Sequence, residues 1–246
     1  LMLLSNIFAM KRNFMKAKEL LTKANETKPN NLTVLNNLGT AAKEMGNLKE
    51  AINFYEKVIK INPNHTNALY NLGVAFHDLK KSKKAKLFFE QTVKTQPNYA
   101  LAFINLANVN VELKEYENAI SNYQKAISIN PRLTAAHNNL GLVFRILNDY
   151  KNAISCYESA IKIQPNFGGA HHNLALALKE LGNFDKAIKA HEMAIKYEPE
   201  NLVNFFYLSE LKSEILDSNL KNKIENIIKN KKSTKINVAY GNYLLS

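Results

Sequence analysis

Five asparagines, Asn37, Asn71, Asn105, Asn139 and Asn173, recur 34 residues apart. A carboxamide carries both a donor and an acceptor, so a regular row of them can pair with the C=O and N–H groups of an extended peptide whatever side chains that peptide carries. This is the chemistry of recognition. Groups that break bonds are not assembled in the same way. The six histidines include no i, i+4 pair that would bring two imidazoles to one metal, and the adjacent His171 and His172 point to different faces of a helix. The sequence holds no glycine-rich phosphate loop, no nucleophile elbow and no carboxylate pair placed for a cleft. Cys156, the single cysteine, sits beside an aromatic column and reads as a buried spectator. No catalytic residue, metal site or cofactor is assigned, and the chain does not read as an enzyme.

The elements that position the asparagines are marked out by proline. Pro29, Pro63, Pro97, Pro131, Pro165 and Pro199 are spaced by the same 34 residues. Each pushes its predecessor out of the α region and cannot donate into a continuing helix, so each closes a helix at one point of a repeating unit. With the proline at position 32, repeats begin at Leu32, Thr66, Ala100, Thr134 and Gly168. Position 20 is then always alanine (Ala51, Ala85, Ala119, Ala153, Ala187) and position 8 always small (Gly39, Gly73, Ala107, Gly141, Ala175), which suits a close helix crossing. Position 7 is leucine throughout, and position 24 is a ring: Tyr55, Phe89, Tyr123, Tyr157, His191. Position 15 (Gly46, Lys80, Lys114, Asn148, Gly182) falls where a helix ends in a left-handed residue.

Leucine followed by a small residue, a later alanine, an aromatic and a terminal proline resembles the tetratricopeptide repeat, a helix-turn-helix unit of 34 residues. The resemblance implies an all-α, right-handed superhelical solenoid of antiparallel helix pairs, in which each repeat packs on its neighbours. Residues 1–31 read as a first repeat truncated at its start, with Leu4, Ser5, Phe8, Ala17, Leu21, Ala24 and Pro29 in the expected columns. Residues 32–199 hold five complete repeats, framed as 32–65, 66–99, 100–133, 134–167 and 168–201. Residues 202–233 read as a degenerate repeat, with a helix over Leu202–Leu216 and a second from Asn219 to about Asn230, capped by Asp217 or Ser218. Residues 234–246 start a further helix, with Tyr240 and Gly241 in the leucine and small columns.

Composition alone, 246 residues and 46% apolar, fits one or two ordinary globular domains; the period overrides that reading. No apolar run is long enough for a membrane span. Leu1–Met10 precedes its basic residues, the reverse of a secretory signal, and reads as the first helix. One cysteine leaves the redox compartment open with a lean to the cytoplasm. The net charge of +12 invites a nucleic-acid reading, but the lysines gather in turns and outer faces, and only Arg12, Arg132 and Arg145 are arginine, so nucleic acid is not taken as the partner. The run Lys80, Lys81, Lys83, Lys84, Lys86 is the segment best suited to an acidic partner or a membrane surface, with a solvated loop as the default reading.

The repeated surface of the first helix of each repeat is the expected site. It comprises Asn37, Asn71, Asn105, Asn139 and Asn173 at position 6, Asn36, Tyr70, Asn138 and His172 at position 5, and Asn108 at position 9. The ladder resembles the groove of O-linked N-acetylglucosamine transferases, which implies a protein or peptide partner held by its backbone. Asparagine is also common at position 6 in repeats with no bound peptide, so a packing role stands beside the binding role. Position 2 (Thr33, Asn67, Leu101, Ala135, Gly169) lacks the lysine and arginine of a carboxylate clamp, which sets aside a chaperone tail. The segment from Asn237 to Tyr243 resembles a linker that precedes sulfotransferase domains. That likeness implies a substrate-recognition arm for a transferase outside these residues. Ile236, Tyr240, Leu244 and Leu245 are expected to lack a partner helix, and the bare ends suggest a fragment of a longer polypeptide, pairing in a homo-oligomer, or an assembly scaffold.

Overall fold

The computed structural model describes residues 1–212, 218–230 and 233–245. Among them every regular element is a helix, and the helices come in pairs: α1 (Met2–Met10) with α2 (Phe14–Thr27), α3 (Leu32–Glu44) with α4 (Leu48–Ile61), α5 (Thr66–Asp78) with α6 (Ser82–Thr95), and α7 (Ala100–Glu112) with α8 (Tyr116–Ile129). The second half continues with α9 (Thr134–Ile146) and α10 (Tyr150–Ile163), α11 (Gly168–Glu180) and α12 (Phe184–Tyr197), then α13 (Leu202–Lys212), α14 (Ser218–Lys229) and α15 (Lys235–Leu245). Two compact units result, Leu1–Pro131 and Arg132–Ser246. Within each, every odd-numbered helix up to α11 packs on the even-numbered helix that follows it.

Local chemistry sets the helix ends. The residue before each proline leaves the helix in an extended conformation, as at Asn62 (φ −132°, ψ 95°), Gln96, Asn130 and Gln164. Position 15 is left-handed in all five complete repeats: φ is 81° at Gly46, 58° at Lys80, 61° at Lys114, 59° at Asn148 and 73° at Gly182, with Arg12 at 56° in the first repeat. The turn closes with paired bonds, for example Gly46 N–H to Lys43 C=O and Asn47 N–H to Ala42 C=O, which satisfy the last carbonyls of α3. A lysine here carries a Cβ penalty that glycine escapes. Lys114→Gly should therefore raise the unfolding free energy by about 0.5–1 kcal/mol, the left-handed penalty less the extra chain entropy of glycine. A lowered melting temperature would contradict this.

The core is built at the crossing of each pair. The five position-20 alanines are fully buried, and Tyr55, Phe89, Tyr123, Tyr157 and His191 are at most 2% exposed. Glycine at position 8 makes room for the ring: a Cβ would lie 2.4 Å from the Tyr55 ring if placed on Gly39 and 2.6 Å from the Phe89 ring if placed on Gly73. Position 9 matches the ring opposite it in the repeats that begin at Leu32, Thr66 and Ala100. Thr40 accepts from the Tyr55 hydroxyl at 3.3 Å and Asn108 accepts from that of Tyr123; where the ring is Phe89, position 9 is Val74. The match fails in the repeat that begins at Thr134, where Leu142 stands opposite Tyr157 and the buried hydroxyl lacks a hydrogen-bond partner among the described residues.

The C-terminal helices correct one expectation. Tyr240, Leu244 and Leu245 do have partners: they pack on a cluster of Leu202, Phe205 and Ile224 with Leu220, Ile227 and Ile228, because α15 folds back against both α13 and α14. Gly241 permits this approach, since a Cβ there would meet Ile228 at 2.5 Å. Asn237 anchors the arrangement, accepting from Leu202 N–H at 3.0 Å and donating to Glu200 C=O at 2.7 Å. Ile236 is 62% exposed, as expected. The Leu202–Leu216 helix is described to Lys212, and the rest of that span, the proposed cap Asp217 and the terminal Ser246 lie outside the described residues.

Candidate functional site

In the N-terminal unit, Asn37, Asn71 and Asn105 lie half-buried on α3, α5 and α7, whose neighbours in the row touch one another. Two of them are tied to the preceding repeat. Asn71 donates from Nδ2 to Asn36 Oδ1 at 3.2 Å, and Asn105 donates from Nδ2 to the Tyr70 hydroxyl at 2.9 Å. Both bonds run from position 6 to position 5 of the repeat before. Tyr70 is held in turn by ring contacts with Tyr99 (centroids 4.9 Å apart) and Phe89 (5.9 Å), and burial raises its hydroxyl pKa. Asn37 makes no side-chain hydrogen bond among the described residues, while Asn108 is occupied by Tyr123.

The same bond recurs in the C-terminal unit, where Asn173 donates to Asn138 Oδ1 at 3.0 Å. Asn138, only 7% exposed, also donates to Asn139 Oδ1 at 3.2 Å. One rung further the pattern changes. His172 donates from Nδ1 to Asn204 Oδ1 at 2.6 Å, and position 6 of the next repeat is Tyr207, stacked on His191 at 5.8 Å with ring planes 4° apart. Phe206, Tyr240 and Tyr243 extend the aromatic group. The sequence reading had not singled out Tyr207 as a site residue, although its place in the position-6 column marks it. His191 is wholly buried with both ring nitrogens unpartnered; burial, the His172 ring and Lys179 together push its pKa down to about 3.

Charges on this face are paired across repeats: His77 meets Glu112 at 2.8 Å, with Ser82 on the other carboxylate oxygen, and Lys179 meets Glu210 at 2.9 Å. In the basic turn, Lys86 bonds Glu115 at 2.5 Å and Lys84 lies 5.3 Å over the Phe76 ring. Cys156 is half-buried, and burial, with Asp149 adding to it, pushes its thiol up to about 11, far from a reactive thiolate. Among the described residues no group of three or more His, Cys, Asp or Glu could hold a metal ion, and no helix is long and apolar enough to cross a membrane.

The family model described as the C-terminal ARM domain of tetratricopeptide repeat protein 21 matches residues 14–218. No curated protein matches the chain. Among solved structures, the chain is similar to one of MamA with 30% identity and a TM-score of 0.64, covering 66% of this chain and 95% of that one. A tetratricopeptide repeat protein from Parabacteroides merdae is similar at 17% identity and a TM-score of 0.74, covering 98% of this chain and 96% of that one. YrrB, whose structure is described as having an unusual peptide-binding site, is similar at 22% identity and a TM-score of 0.66 over 76% of this chain and 97% of its own. Paired helices on a 34-residue period, left-handed turns at one fixed position and this family match converge: the chain belongs to the tetratricopeptide repeat proteins, in the family of the tetratricopeptide repeat protein 21 C-terminal ARM domain.

Proposed function

We propose that this protein-interaction module binds an extended peptide along the first helices of its repeats, through Asn37, Asn71 and Asn105 in the N-terminal unit and through Asn139 and Asn173 in the C-terminal unit. The supporting observation is the division of labour within three of these carboxamides. Asn71, Asn105 and Asn173 each use one N–H to fix their orientation against the preceding repeat, and the second N–H and Oδ1 make no other hydrogen bond among the described residues. Their Oδ1 atoms are not among the buried polar atoms without a partner, and the three side chains are half-buried. A fixed amide with a donor and an acceptor still available is preorganised for a peptide backbone, because little rotamer entropy is left to lose on binding. The same groove would serve a substrate-recognition arm of a protein-modifying transferase.

A peptide selected on the full chain from an array tests the reading. Methylating its central backbone nitrogens should weaken binding about tenfold or more, the scale of one or two lost hydrogen bonds, whereas alanine scanning of its side chains should change affinity much less. The double variant Asn71→Ala/Asn105→Ala should show a similar loss. It should also melt earlier, because the bonds to Asn36 and Tyr70 are removed with it, so affinity is measured well below the transition. A peptide indifferent to backbone methylation and to the double variant would overturn the proposal.

A further inference from the structure

On the other side of the C-terminal unit, the second helices of two consecutive repeats, α10 and α12, stand apart over an apolar cleft of about 590 Å³. Its floor includes Ile154, Ile161, Leu174, Leu178 and Met193. Two repeat columns shape its lining. Position 23 reads Phe54, Phe88, Asn122, Cys156, Ala190, and position 11 reads Ala42, Phe76, Asn110, Phe144, Leu178. In the repeat that begins at Thr66, Phe88 and Phe76 stack face to face at 5.4 Å, with ring planes 3° apart, and Phe88 packs against the core. In the repeat that begins at Gly168 the same two places hold Ala190 and Leu178. A pair of rings is replaced by an alanine and a leucine, each 7% exposed, and both line the cleft.

The rim adds a sign to this shape. Lys162, Lys186 and Lys189 surround the cleft, with Glu158 as its one carboxylate. None of the three lysines takes part in an ion pair among the described residues, although Lys86, Lys179 and Lys212 elsewhere are all paired with glutamates. We propose that this cleft docks an acidic segment of another protein, which inserts one aromatic side chain into the place that Phe88 fills in its own repeat and sets its carboxylates against Lys162, Lys186 and Lys189. A large apolar anchor in a pocket ringed by complementary charge is the arrangement that gives an interface its affinity and its orientation. The chain's own net charge of +12 favours an acidic partner over a second copy of itself. This surface is separate from the asparagine ladder, and the two can be occupied independently.

A displayed library of random peptides about 12 residues long, selected on the full chain, is the probe. The expected pool contains peptides with one aromatic residue flanked by aspartate or glutamate. Their affinity should fall at least about tenfold on Ala190→Phe, which fills the cleft from within, and on Lys186→Glu/Lys189→Glu, which reverses the rim, while staying within about twofold on Asn71→Ala/Asn105→Ala. Raising the salt concentration should weaken the same peptides. The lysine variant alters only exposed residues, so it decides the matter if Ala190→Phe melts early. A pool without acidic aromatic peptides, or acidic aromatic peptides that bind the lysine variant unchanged, would overturn the proposal.

Discussion

Phe89→Ala should lower the unfolding free energy by about 3–5 kcal/mol, the range seen when a fully buried ring is cut back to a methyl group. Phe89 is 1% exposed, and its ring fills the space that Gly73 leaves open, with Tyr70 5.9 Å away. The site cannot collapse to recover the loss. The ring lies between two helices whose spacing is also held by Ala85 and Leu72, both fully buried, so the cavity stays. Leu87→Ala, two residues away on the same helix but at a position 51% exposed, should change stability by no more than about 0.5 kcal/mol. Denaturant unfolding of the two variants side by side checks the contrast. Equal losses, or a loss below about 1 kcal/mol for Phe89→Ala, would show that the ring column does not carry the inter-helix packing.

Acid should destabilise the C-terminal unit through His191, and His191→Phe should remove that sensitivity. The imidazole is wholly buried without a hydrogen-bond partner, and burial, His172 and Lys179 hold its pKa down to about 3. The unfolded chain, with an ordinary histidine pKa near 6.5, then binds a proton that the folded chain refuses. Stability is unaffected by this group above pH ~6.5 and falls as the pH drops from there toward 3. At pH 4 the loss amounts to about 3 kcal/mol, at roughly 1.4 kcal/mol for each pH unit. His172, whose pKa burial also lowers, acts in the same direction, and the neighbouring charges of Lys179 and Arg145 oppose protonation of the pair. Phenylalanine occupies this place at Phe89, so the substitution fits the column. Melting temperatures should fall less steeply from pH 7 to pH 4 for the variant than for the unaltered chain. Parallel curves would show that His191 takes up its proton in the fold.

The helix bounds were readable because each rests on chemistry confined to one or two residues. Proline forces its predecessor to be extended, and the turn residue at position 15 must be left-handed whether it is Gly46, Asn148 or Lys80. The same holds for the ring column, where one residue type meets one small partner. The ladder was readable as a row of asparagines and no further. What orients Asn71 and Asn105 is a bond to Asn36 and Tyr70, residues whose column looked mixed because they share an oxygen and not a shape. Seeing that requires knowing that position 6 of one repeat reaches position 5 of the one before, a fact of helix spacing and not of sequence period. The packing of Tyr240 and Leu244 was hidden for a similar reason. Their helix folds back on α13 as well as α14, and no column of the regular repeats describes such a return.

The bond between position 6 and position 5 of the preceding repeat also bears on how such a chain can grow. Its donor and acceptor are 35 residues apart, one more than the repeat length, so each 34-residue block carries a donor facing backwards and a place for an acceptor facing forwards. Duplicating a block copies both halves in frame, and the new rung is wired at birth. The row can lengthen or shorten by whole repeats without any new side chain being found.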